Sequence, residues 1–334
     1  RPSRGWQFPD RAALVQTLSL ETEPGNPGSQ RRIETRVLLK QEGEWAGYTY
    51  RWNDAQTDAM LAGKAGEEIE LQIRDGSVAG GVRRQTWRVP GRSECLGCHS
   101  RAVNFVLGPS EPQMNREHDY GGRRENQLTA LHRLGALDEW PTKPPQPPGD
   151  PAKPPGDPAK PPGKLVNPYD ESEDLDTRAR SYLHTNCSVC HVEAGGGNAK
   201  MELEFSRPRD EMNIFSARPQ HDTFGLTNAM LVAPGDPDRS VLLHRVSRRG
   251  RGQMPPMVSS QVDQRAVELL RDWFRQMKPE SAFVRAWTMD DLVPDLGQLD
   301  SGRSFASGKS AYQKVGCAQC HRFADEGGTV GPDL

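Results

Sequence analysis

The 334-residue chain has no apolar run of about 18 residues, the length a helix needs to cross a bilayer, so no transmembrane segment is expected. It has little excess charge: 43 Lys and Arg against 45 Asp and Glu leave a formal net charge of -2. That balance excludes a broad attraction to nucleic acid or to an anionic membrane surface. Short basic clusters such as Arg248, Arg249 and Arg251 read as solvated loop. Hydrophobic residues reach only 34%, while 33 glycines and 28 prolines point to much loop. No secretory leader is visible and the first residue is Arg1, which reads as a processed or incomplete N-terminus. Cysteine is scarce, at six residues, and none is spare for a disulfide or a zinc site.

The six cysteines fall into one pattern: Cys95-Leu-Gly-Cys98-His99, Cys187-Ser-Val-Cys190-His191 and Cys317-Ala-Gln-Cys320-His321. Each is C-x-x-C-H, the attachment signature of c-type haem. A two-residue gap lets one helical turn offer both sulfurs to one porphyrin edge. The histidine that follows then lies under the iron as an axial ligand. A zinc site needs two such pairs at short separation, whereas these are widely spaced. A redox dithiol has no need of a histidine directly after its second cysteine. The expected cofactors are therefore three haems c. Because haem c is attached outside the cytoplasm, the expected location is periplasmic or extracellular.

The expected fold class is α+β in three haem-bearing parts. Residues 1–140 read as β-rich. Arg32–Lys40 and Glu44–Trp52 are rich in β-branched and aromatic residues and flank a hairpin signal at Gln41-Glu42-Gly43. Glu68–Arg74 alternates polar and apolar, and Gln85–Val89 follows Gly80-Gly81. Trp45, Tyr50, Trp52 and Trp87 read as core or sheet-face aromatics. A helix is expected over Arg124–Leu134. Residues 141–164 repeat Pro-Pro-Gly-Asp-Pro-Ala-Lys and read as an extended, semi-rigid linker.

Residues 165–278 read as a mainly α, class I cytochrome c domain. A helix over Asp174–His184 leads into Cys187, and a second over Val262–Met277 carries an apolar stripe of Val267, Leu270, Trp273, Phe274 and Met277. Residues 279–302 connect. Residues 303–334 read as the start of a second cytochrome c-like domain, with a short helix over Phe305–Val315 feeding Cys317; the rest is expected beyond Leu334.

Histidine fills one side of each iron, and methionine on the other raises the potential. For the second haem the candidate is Met254, in Gln253-Met254-Pro255-Pro256, where the prolines stiffen the loop; Met257 competes. For the first haem the candidate is Met114, with His118, His132 and Met60 as rivals. No methionine or histidine follows His321. His184, His221 and His244 read as structural or surface residues.

The segments Arg83–His99 and Gln113–Gly122 resemble a cytochrome module that often follows a β-propeller similar to PQQ-dependent sugar dehydrogenases of the glucose and sorbosone type. Arg180–Gly197 and the Gln253–Pro256 loop look like its partner cytochrome domain. Gly308–Leu334, with Cys317, Cys320, His321, Gly328, Gly331 and Pro332, resembles the start of a Pirellulaceae-type haem-binding domain. The resemblance implies an electron-accepting region of a longer dehydrogenase. No propeller repeat is present in these residues.

Three functions follow. One is electron transfer to a redox partner protein. A second is the same relay fused to a dehydrogenase domain. The third is a haem enzyme of peroxidase type, or a haem sensor, with an open iron and an acid or base beside it. No catalytic residue is identified, and a homo-oligomer is left open.

Overall fold

The computed structural model describes residues 4–137, 164–257, 259–278, 293, 302, 304–324, 326–328 and 331–332. The chain divides into two compact units, Arg1–Glu280 and Ser281–Leu334. Both helices and antiparallel sheets are present, so the fold is mixed α+β. No helix among the described residues is long and apolar enough to cross a membrane.

The first unit opens with a four-stranded antiparallel sheet in the order β1 (Ala13–Glu21), β2 (Gln30–Gln41), β3 (Glu44–Trp52) and β4 (Ala59–Leu61). The expected hairpin joins β2 to β3, with Glu42 and Gly43 both at positive φ. On β3 the two-residue period turns Trp45, Gly47 and Thr49 inward. Trp45 packs with Leu38 and Val106, and Phe8 meets it edge-on at 6.2 Å. Strands β5 (Glu67–Arg74) and β6 (Val82–Val89) form a separate hairpin. Strand β1 was not anticipated: its exposed positions carry polar residues and Val15 alike, so its sequence lacks a clean alternation.

Helix α1 (Arg92–Cys98) follows β6 through a tight corner. Glu94 accepts from the Gly91 amide at 2.8 Å and takes two bonds from Arg88, at 2.9 and 3.2 Å. Arg92 sits 4.2 Å over the Tyr48 ring, which holds α1 on β3. Next come α2 (Glu111–Met114), the short pair β7 (Glu117–Asp119) and β8 (Arg124–Asn126), and α3 (Gln127–Arg133). The helix expected over Arg124–Leu134 therefore starts later. Asn126 caps it by accepting from the Leu128 amide, and the residues before it pair as a strand.

The proline-rich stretch lies outside the described residues except for Lys164. The regions on either side of it pack together: the Leu165 amide donates to the Pro112 carbonyl at 3.1 Å. Helices α4 (Leu175–Asn186), α5 (Val241–Val246) and α6 (Gln264–Gln276) surround the larger core. Asp174 and Asp263 cap α4 and α6 by accepting from Thr177 and Ala266 amides. Along α6, Ala266, Val267, Leu269, Leu270, Trp273 and Phe274 are buried, a helical stripe facing α4 and α5. Trp273 Nε1 donates to Asp176 at 2.9 Å, tying α6 to the first turn of α4.

In the second unit α7 (Phe305–Lys314) precedes the third cysteine pair, and β9 (Arg322–Phe323) pairs with β10 (Glu326–Gly327).

Candidate functional site

All three C-x-x-C-H segments adopt the same turn. The histidine amide donates to the carbonyl of the first cysteine at 2.9 Å in each: His99 to Cys95, His191 to Cys187 and His321 to Cys317. This i to i+4 closure sets both cysteines and the histidine on one helical turn. All six cysteines are free thiols, none of them in a disulfide.

The histidine rings are oriented by the backbone. His99 Nδ1 bonds the Phe105 carbonyl at 2.7 Å, and His321 Nδ1 bonds the Pro332 carbonyl at 2.8 Å. A carbonyl can only accept, so Nδ1 carries the proton and the lone pair is left on Nε2. That is the arrangement a metal-ligating histidine uses. His191 Nδ1 is buried with no hydrogen-bond partner of good geometry, while the Ala199 backbone beside it favours the protonated ring. Burial favours the neutral ring more strongly at His99 and His191, holding both below the usual histidine range.

Glycines back two of these rings. A Cβ on Gly197 would lie 2.5 Å from His191 Nδ1, and one on Gly331 would lie 2.7 Å from His321 Nδ1. Each glycine amide returns to the carbonyl of its motif's second cysteine, Gly197 to Cys190 at 3.0 Å and Gly331 to Cys320 at 2.7 Å. The first motif does this differently. Asn104 and Phe105 both take left-handed backbone, φ 58 and 62, which swings the Phe105 carbonyl onto His99. Such residues cost of order 1–3 kcal/mol each and persist where surroundings enforce them. Asn104 is held by its side-chain bonds to the Gly5 and Trp6 carbonyls.

The first motif lies on the inner face of β3. A Cβ on Gly47 would sit 2.8 Å from Cys95 Sγ, so glycine is what lets the strand approach. Burial pushes the Cys95 and Cys187 thiols up, Cys187 to about 12. Arg36 faces Cys95, Cys98 and His99 and is paired with the buried Glu34, whose carboxyl is raised by desolvation against the pull of Arg36.

Interaction with Cys98 lowers the Cys190 thiol to about 7, while interaction with Cys190 and burial raise that of Cys98. Cys190 Sγ also approaches the Gly97 carbonyl at 3.9 Å. Two cysteine pairs far apart in sequence thus meet. No group of three or more His, Cys, Asp or Glu among the described residues converges to hold a bare metal ion.

Met254 is half-buried and packs on the same core as Cys187. Its amide donates to the Arg245 carbonyl at 3.0 Å, and Arg245 Nη1 donates to Gly252 at 3.0 Å. The Arg245 charge also acts on His191, the least of the causes that shift it. Met257 points elsewhere: its sulfur lies 3.6 Å from the position of a Cβ on Gly97, against the first motif. Met114 is half-buried at the end of α2. Met60 is exposed on β4, and His118 is exposed on β7 with its ring against Tyr120 at 4.6 Å. His132 is half-buried on α3 with Nδ1 buried and unpartnered.

His184 is buried and accepts from the Phe205 amide at 3.1 Å; burial lowers it to about 4. His221 is exposed, and His244 accepts from Arg248 at 2.9 Å beside Phe224. Arg249 is less solvated than its run of charge suggests, since its guanidinium donates to the Val246, Arg248 and Gln261 carbonyls.

Sequence reasoning passed over Phe105, Gly197, Arg36 and Arg245. The first acts through its carbonyl, which carries no side-chain signal. A glycine six residues after a motif histidine is a signal for the second.

Compared with known families, curated proteins and solved structures, the chain matches none.

Proposed function

We propose that this chain carries three covalently attached c-type haems, outside the cytoplasm, and passes electrons between a dehydrogenase, fused or separate, and a further acceptor. The observation that carries the reading is the repeated turn. In two of the three motifs a backbone carbonyl holds the histidine Nδ1 proton and leaves the Nε2 lone pair free to serve as a ligand.

The donor set fits the group. Paired thiols on one turn suit two thioether bonds, with Cys95 and Cys98, Cys187 and Cys190, and Cys317 and Cys320 as anchors. A porphyrin brings four nitrogens of its own, so it does not ask for a converging cluster of protein ligands. When bound, haem supplies an iron that takes up and releases one electron. The chain's part is to fix the rings of His99, His191 and His321, and to keep water from the second site behind the α4–α6 core. Met254 is proposed as the sixth ligand at His191, supported by its place against the same core as Cys187. Met114 is proposed at His99 on sequence proximity alone. Residues 165–278 are proposed to form a class I cytochrome c domain, supported by the α4–α6 contact and a methionine loop placed just before α6.

The test is a pyridine haemochrome assay with intact mass on protein matured in a periplasm. Three haems per chain are expected. A colourless protein, or a mass without porphyrin, refutes the reading. Carbon monoxide added to the reduced protein separates a relay from a catalyst: the second haem should stay closed to it.

A further inference from the structure

The loops that follow His99 and His191 are far apart in sequence, yet one short segment touches both. We propose that residues 4–6 form a strap that positions the His99 ring and is itself seated on the loop after the second motif. The proposal rests on the relay reading for what His99 does.

The chain of contacts starts at the ring. His99 Nδ1 donates to the Phe105 carbonyl at 2.7 Å, and two successive left-handed residues, Asn104 (φ 58) and Phe105 (φ 62), aim that carbonyl. This backbone is costly for residues that carry a Cβ, so contacts outside the turn have to hold it. On one side the Asn104 amide donates to the Arg101 carbonyl at 3.1 Å and the Phe105 amide to the Ser100 carbonyl at 2.8 Å. On the other side lies the strap. Asn104 Nδ2 donates to the Gly5 carbonyl at 2.9 Å and to the Trp6 carbonyl at 3.1 Å. The Trp6 amide donates to the Pro109 carbonyl at 3.1 Å, just past the turn. A Cβ on Gly5 would lie 2.0 Å from the Val106 carbonyl oxygen and 3.0 Å from that of Val103. Glycine is what lets the strap lie against this loop.

Arg4 turns the other way. Its Nε donates to Glu204 Oε1 and its Nη2 to the Glu193 carbonyl, both at 3.4 Å. Glu204 is buried, and a buried carboxylate is stabilised by a paired cation. It directly follows Leu203, whose amide donates to the His191 carbonyl at 2.9 Å. Glu193 follows close on His191, and its amide donates to Glu202 at 3.1 Å. Arg4 thus lands on the chain around His191, while Gly5 and Trp6 hold the turn that aims His99. Both ends belong to one compact unit. Loosening Arg4 frees the strap, and freeing the strap relaxes the turn and releases the ring.

The experiment is hydrogen exchange of histidine ring Nδ1 protons and backbone amides, read by nitrogen-edited NMR on the reduced full chain, with haem counted by pyridine haemochrome. The His99 proton is assigned by its loss in His99→Gln. Asn104→Ala and Gly5→Ala should each speed its exchange about tenfold, the scale of one lost hydrogen bond. Arg4→Ala, which removes a partly exposed ion pair, should speed it about threefold. The His321 ring proton should keep its wild-type rate. So should the amides of the β2–β3 pairing, which report opening of the whole sheet. Gly63→Ala, which meets nothing within 4 Å, should leave every rate as it was. Where Gly5→Ala fails to fold, Asn104→Ala and Arg4→Ala decide. A wild-type His99 rate in either of those two overturns the strap. Equal acceleration at His99 and in the β2–β3 amides overturns it as well, because the contacts then serve only general stability. A full haem count beside either result leaves the relay reading intact. A chain without haem that shows the expected exchange pattern refutes the relay and leaves the strap standing.

Discussion

His184 offers a measurable consequence of burial in the helix that leads into the second motif. In the folded chain it is neutral, accepts from the Phe205 amide, and is held near 4 by desolvation, opposed only in part by Glu204. The ordinary value is 6.5. As pH falls through 6.5 the unfolded chain takes a proton that the folded chain refuses, so stability is full above that pH and declines until about 4. The difference is worth roughly 3 kcal/mol below pH 4, with about 2 kcal/mol already lost at pH 5. His184→Asn removes the titration while its side-chain oxygen can still accept from Phe205. Urea unfolding followed by tryptophan fluorescence at pH 7.5 and pH 5 gives the comparison. Wild type should lose about 2 kcal/mol more than the variant across that interval. Equal losses would refute the claim that burial of this ring couples folding to acid.

Leu270 is fully buried on α6, so Leu270→Ala should cost about 2–5 kcal/mol, read as a lower urea midpoint at unchanged slope. Gly197→Ala puts a methyl 2.5 Å from His191 Nδ1. It should displace that ring and lose the low-spin signature of one haem in three, whereas Gly196→Ala, which meets nothing within 4 Å, should not. Met254→Ala should open the second iron to carbon monoxide and lower its midpoint potential; an unchanged spectrum would reassign the ligand.

Much of the fold could be read from the chain because its signals were local. The β2–β3 hairpin follows from two aromatic, β-branched runs around Glu42-Gly43, and α4 and α6 from an aspartate cap before an apolar stripe. The boundaries failed where a cap competed with periodicity, as at Asn126. The motifs singled out each cysteine pair and the histidine beside it directly, since their spacing is itself the geometry of one turn. What aims the rings was hidden. The carbonyls of Phe105 and Pro332 belong to the backbone and are set by left-handed or glycine-supported turns. Least legible was the approach of Cys190 to the Gly97 carbonyl, a contact between residues 93 apart in sequence.

The approach of Cys190 Sγ to the Gly97 carbonyl also bears on how the protein would be made. If the cysteine pairs are modified as proposed, an enzyme needs both thiols of a motif within reach, and contact between two motifs narrows that reach once the parts have packed. Modification before packing is the order this contact favours.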